Sequence, residues 1–99
     1  MIEVQIFLDE GDLYKEQPMH EYIMRHLMHH NINGASMFAA VEGYGNKHHL
    51  HRPGRIGNVD EGPIMILFID EEEKINTVLP HLKEVVNEGL IVKKKVEQV

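Results

Sequence analysis

Apolar and polar side chains alternate one by one at the start of the chain, where Glu3, Gln5 and Phe7 separate Ile2, Val4, Ile6 and Leu8. A repeat of two predicts a strand, and Asp9-Glu10-Gly11-Asp12 closes it as a turn. The repeat then lengthens. Met19, Tyr22, Ile23 and Leu27 follow helical spacing. Pro18 stands where a helix can begin, because the amide hydrogen that proline lacks has no partner there, and Asn33-Gly34 supplies a stop. Residues 35–41 predict a second strand with apolar side chains on both faces: Ala35, Met37, Ala39 and Val41 on one, Phe38 and Ala40 on the other. Residues 64–69 are all apolar, too few for a helix, and predict a strand buried on both sides. Asp70, with Glu73 three residues on, reads as a capping box. Ile75, Val78, Leu79, Leu82, Val85 and Val86 mark a second helical face, which Pro80 should kink or divide. Gly89 stops that helix, and residues 90–99 form a last strand whose Lys93, Lys94 and Lys95 give it a solvated face.

The predicted order is strand, helix, strand, strand, helix, strand: an α+β, ferredoxin-like βαββαβ sandwich with a four-stranded antiparallel sheet. Chain connectivity brings the first and third strands to the sheet centre. Two helices cover one sheet face. The apolar residues on the other face predict an oligomer that buries it. The chain is read as one domain, 1–99, with a flexible loop at about 44–62.

Composition narrows the function classes. With no cysteine there is no disulfide framework and no thiolate metal site. No apolar run reaches the roughly 20 residues of a membrane helix, and no basic-then-apolar leader opens the sequence; a cytoplasmic location is expected. A formal charge of -6 argues against nucleic acid as a partner. Against that background, residues 43–59 carry no carboxylate, yet hold Lys47, Arg52 and Arg55 with three histidines and four glycines. Such a loop suits an anion, phosphate above all. Gly43 and Gly45 flank Tyr44, where backbone can approach a ligand closely, and Lys47 and the arginines could meet phosphate oxygens. A plain hairpin loop with incidental charge is the competing reading.

The joint order of Gly34-Ala35-Ser36, Glu42-Gly43-Tyr44-Gly45, Leu50-His51, Pro63, Ile69-Asp70, Glu73-Lys74-Ile75, Leu79-Pro80 and Glu88-Gly89-Leu90-Ile91 resembles the PII-like signalling proteins, most closely the branch called Domain of Unknown Function 190. The resemblance implies a PII-like homotrimer that binds an adenine nucleotide (AMP, ADP or ATP) in the clefts between subunits. It also implies signalling through the long loop between the second and third strands, possible regulation of a membrane transporter or channel, and no enzymatic role, with slow nucleotide hydrolysis left open. Carried over by position, it implies nucleotide contacts from Ser36, Gly43, Tyr44, Gly45, Asn46, Lys47, His51, Arg55 and Gly89. The turn Asn87-Glu88-Gly89-Leu90 lacks the lysine of the well-studied relatives, so a mono- or diphosphate is easier to accommodate than a triphosphate.

Histidines supply the rival reading. His48, His49 and His51 could make the protein a divalent-metal-binding trimer. His26, His29 and His30 share one side of the first helix, which is read as a solvated face. Catalysis has little to stand on: Glu71, Glu72 and Glu73 fall at a helix start, where they offset the helix dipole, and no serine sits in a nucleophile-elbow context. The methionines are read as core filler.

Overall fold

The computed structural model describes residues 1–45, 50 and 62–99. Its elements are β1 (Ile2–Asp9), β2 (Leu13–Tyr14), β3 (Gln17–Pro18), α1 (Met19–His29), β4 (Ala35–Ala39), β5 (Pro63–Asp70), α2 (Glu72–Val85) and β6 (Leu90–Lys95). Four of the strands make one sheet in the order β4-β5-β1-β6, every pairing antiparallel. This is the predicted α+β arrangement. The short strands β2 and β3 form a separate hairpin between β1 and α1.

Alternation along the strands sorts their side chains. Ile2, Val4, Ile6 and Leu8 of β1, with Ile64, Ile66 and Phe68 of β5, point to the helix side and are buried. Met19, Ile23 and Leu27 of α1 and Ile75, Val78, Leu82 and Val85 of α2 close that core. Each such aliphatic side chain contributes about 1.5–3 kcal/mol by leaving water.

The opposite sheet face carries Phe7, Phe38, Ile69, Leu90 and Val92, all exposed within the chain. The register sets Phe7 between Met65 and Leu90, and Met65 beside Phe38, so these residues are contiguous. β5 is therefore covered on one side by its own chain: Met65 and Leu67 are half-buried and Ile69 is open.

Several boundaries depart from the sequence reading. Pro18 precedes α1 as its N-cap, and β4 ends at Ala39, where Ala40 N–H donates to the Pro63 carbonyl at 2.9 Å. β6 ends at Lys95. α2 runs through Pro80 as one element.

The capping box does not form. The N-cap of α2 is Glu71, with no side-chain cap. Asp70 is instead the last residue of β5 and only 2% exposed. Its carboxylate accepts from Asn33 N–H at 3.0 Å and Glu71 N–H at 2.8 Å, with the Lys74 ammonium 3.2 Å away. A capping aspartate would face the helix amides; this one ties the end of α1's exit loop to the start of α2. The methionines are also reassigned, since Met19 belongs to the buried core whereas Met28 and Met37 are exposed. No described helix is long and apolar enough to cross a membrane.

Candidate functional site

A cleft of about 340 Å³ opens at the end of the central strand. Four segments far apart in the sequence build it. Phe7, Leu8 and Asp9 come from the end of β1, with Asp12 from the turn after it. Tyr44 and Gly45 follow β4, and Pro63 and Ile64 open β5. Glu88, Gly89 and Leu90 carry the chain from α2 into β6. The size suits a small organic ligand.

Local chemistry fixes each wall. In the turn after β1, Asp9 and Asp12 brace one another: Asp9 N–H donates to Asp12 Oδ2 at 3.0 Å, Gly11 N–H donates to Asp9 Oδ1 at 2.9 Å, and Asp12 N–H donates to the Asp9 carbonyl at 3.0 Å. These are Asx-type contacts of the kind that fix aspartate-rich turns. Glu10 N–H donates to the Gly62 carbonyl at 2.9 Å, joining this turn to the chain entering β5. On the other wall a Cβ at Gly89 would fall 2.5 Å from the Phe7 carbonyl oxygen and 2.7 Å from Val86 Cγ1. No side chain fits there, so the Glu88–Gly89 turn lies hard against β1. Among the described residues a Cβ at Gly45 would meet nothing within 4 Å. Gly89 is thus needed by the fold, whereas Gly45 leaves open space on the cleft side.

Of the residues predicted to contact a nucleotide, Tyr44, Gly45 and Gly89 come together in this cleft. Gly43 stands just behind them, with Pro63 and Ala40 the nearest neighbours of its Cβ position, at 3.6 and 3.7 Å. Ser36 lies on β4 opposite Leu67, on the open sheet face, and does not line the cleft of its own chain. Asn46, Lys47, His51 and Arg55, together with the alternative metal ligands His48 and His49, fall outside the described residues.

Sequence reasoning missed Asp9, Asp12 and Phe7 as cleft residues. Their turn was legible, but its position beside Gly89 depends on the pairing of β1 with β6. Among the described residues, no group of three or more His, Asp or Glu side chains is placed to hold a metal ion.

The helical histidines differ from the solvated face expected of them. His29 and His30 are exposed, but His26 is half-buried, with its ring 4.8 Å from that of His81 on α2. Burial, first, and then the neighbouring His30, His81 and His29 hold the His26 pKa below its ordinary 6.5. Sequence spacing could not pair His26 with His81, which is on a different helix.

The fold is shared with known proteins. Over 96% of this chain and 84% of the other, it is similar to CPII, a nitrogen regulatory PII-like protein from Thiomonas intermedia K12 bound to ADP, AMP and bicarbonate, with a TM-score of 0.71 at 18% identity. It is also similar to CutA1 from Pyrococcus horikoshii, with a TM-score of 0.63 at 16% identity over all of this chain and 86% of that one. At these identities the likeness is one of fold. Sequence relatives are closer. A UPF0166 protein of Methanocaldococcus jannaschii is 37% identical over 90% of this chain and 82% of its own length. A UPF0166 protein of Aquifex aeolicus is 30% identical over 95% of this chain and 89% of its own. With a family profile, described as Uncharacterized ACR, matching residues 1–98, the chain belongs to the Domain of Unknown Function 190 family, DUF190.

Proposed function

We propose that this chain is a PII-like regulatory protein. In this reading three copies assemble through their open sheet faces and an adenine nucleotide occupies the cleft at the subunit boundary. The segment after Gly45 changes its contacts according to which nucleotide is bound. The observation that carries the reading is the meeting of Tyr44-Gly45 with Glu88-Gly89 at the end of the central strand, in a fold shared with a protein that binds ADP and AMP.

Backbone supplies the binding chemistry on one side, since the absence of a side chain at Gly45 lets phosphate oxygens reach main-chain N–H groups. Asp9, Asp12 and Glu88 give the described walls carboxylates. Offsetting cations would come from Lys47, Arg52 and Arg55, which follow Gly45 in the chain. That balance favours ligands with fewer phosphates. A nucleotide can shift the segment only through different affinities for its two arrangements. The role is one of sensing, not catalysis, in the cytoplasm, with a membrane transporter or channel as the class of downstream partner.

Titration calorimetry of the full chain with AMP, ADP and ATP tests the reading. Binding of at least one at micromolar concentration is expected. Gly45→Val should leave thermal stability unchanged, because the site for its Cβ is open, while weakening binding tenfold or more, about 1.4 kcal/mol. No heat with any of the three nucleotides, or unaltered affinity in the variant, would refute it.

A further inference from the structure

The rings of Tyr14, Tyr22, His26, His30 and His81 gather where the β2–β3 hairpin, α1 and α2 meet. Tyr14 lies against Tyr22 with centroids 4.6 Å apart, and Tyr22 stacks on His26 at 6.3 Å with 12° between planes. His26 is 4.1 Å from His30 and 4.8 Å from His81, centroid to centroid. The Tyr22 hydroxyl donates to His81 Nε2 at 2.6 Å in the tautomer that keeps the ring proton on Nδ1, which is 3.7 Å from Glu84. His30 Nδ1 donates to the His26 carbonyl at 2.9 Å. His26 Nε2 is buried and has no hydrogen-bond partner among the described residues.

The hairpin held by these rings is strained. Its tip residues Lys15 and Glu16 have φ of 48° and 66°, the left-handed region that two-residue hairpins usually fill with Asn-Gly. A non-glycine residue is unfavourable there and persists only when its surroundings enforce it. Here the enforcing contacts are Tyr14 against Tyr22 and, at 6.5 Å, His81, plus a 2.6 Å hydrogen bond from Arg25 to the Gln17 side chain. The same segment is continuous with the cleft. Asp12 lines it, and its carbonyl accepts from Met19 N–H at 2.9 Å across the base of the hairpin.

We infer that the imidazole–tyrosine cluster is a proton-operated clamp, holding the strained hairpin and the Asp9–Asp12 wall of the cleft against the helices while His26 is neutral and releasing them when His26 takes a proton. His26 is the breaking point because its neighbours have outlets and it does not. His81 Nδ1 stands 3.7 Å from Glu84, and the His30 ring is exposed. A proton on His26 Nε2 meets no acceptor among the described residues. The groups facing it are Tyr22, His29 and His30 from its own helix and His81, with Glu84 behind it, from α2; Tyr14 and Lys15 of the hairpin stand beyond Tyr22 and His81. The lone carboxylate in that set lies next to His81.

The sign follows from the depressed affinity of native His26 for a proton. Above the ordinary value of 6.5 both the closed and the opened forms are neutral there, and the clamp is at full strength. As pH falls below it, the opened form takes the proton first, and closure weakens.

Amide hydrogen exchange of the full chain, expressed as protection factors so that intrinsic pH dependence is removed, reads the clamp directly. Between pH 7.5 and 5.5 protection at Tyr14 and Gln17 should fall, by at most about tenfold, while protection in β1 and β5 holds. His26→Phe keeps a ring and removes the proton site, so its hairpin protection should not respond to pH. Equal protection at both pH values in the unaltered chain, or the same fall in His26→Phe, would overturn the inference. If that variant does not fold, an NMR titration of His26 in the unaltered chain decides. Its midpoint must coincide with hairpin release, and a separation of the two counts against the clamp.

Discussion

Asp70 is the residue that sequence patterning most misjudged. Followed by Glu73 at the right distance, it has the signature of a helix cap, but that signature carries no information about depth. Burial works to raise its pKa, and the Asn33 and Glu71 N–H donors with the Lys74 ammonium more than reverse this, so the carboxyl sits below its ordinary 3.8. A carboxylate with a depressed native pKa contributes stability that is complete above its unfolded value and is lost as pH falls through the native one. Asp70→Asn keeps the shape but turns an amide hydrogen toward a backbone donor and abolishes the ion pair. Thermal or urea unfolding at pH 7 should show a loss of about 2 kcal/mol, and the gap between variant and parent should narrow below pH 4. A gap that stays constant down to pH 2 would mean that the carboxylate charge contributes nothing. Gly89 teaches the complementary lesson. The sequence marks it as a helix stop, and its actual role, clearing the Phe7 carbonyl, belongs to a contact between distant segments.

At the scale of elements, the strands and helices of the main sheet were legible because their repeats of two and 3.6 run long enough to be unambiguous. The hairpin was not. Its strands are two residues each, too short for a repeat, and Lys15-Glu16 lacks the Asn or Gly that announces such a turn. Tertiary contacts from α1 and α2 overrule the local preference. Replacing the tip with the residues its backbone prefers, Lys15→Asn with Glu16→Gly, should therefore stabilise the protein. A gain of about 1 kcal/mol is expected, read as a rise of roughly 4 °C in melting temperature at fixed protein concentration. A fall would show that the side chains of Lys15 and Glu16, including the Lys15 ammonium 5.3 Å from the Tyr14 ring centre, matter more than the torsions. The first helix shows the same limit on sequence reading: three histidines at helical spacing look like one polar face, yet α2 draws His26 inward and leaves His29 and His30 out.

For the whole molecule, the order β4-β5-β1-β6 was readable from the alternation of elements, and the open apolar face from the second set of apolar residues in the strands. The cleft was only half readable. Tyr44, Gly45 and Gly89 could be named from motifs, whereas Phe7, Asp9 and Asp12 enter through strand pairing. If the open face is where copies meet, a charge on it should separate them without unfolding the chain. Phe38, half exposed and next to Met65, is the position to use. Phe38→Glu should move the light-scattering mass from that of the proposed trimer toward the single chain, with an unchanged far-ultraviolet spectrum. An assembly of undiminished mass would place the contact elsewhere. The margins of the sheet bear on how such copies can add. β6 forms one boundary and ends in three successive lysines, so a strand arriving alongside it must crowd ammonium groups together. Lateral zippering, the route by which sheet proteins grow into fibrils, is penalised at that border, and the chain can keep a greasy surface for finite, closed association without courting runaway polymerisation there.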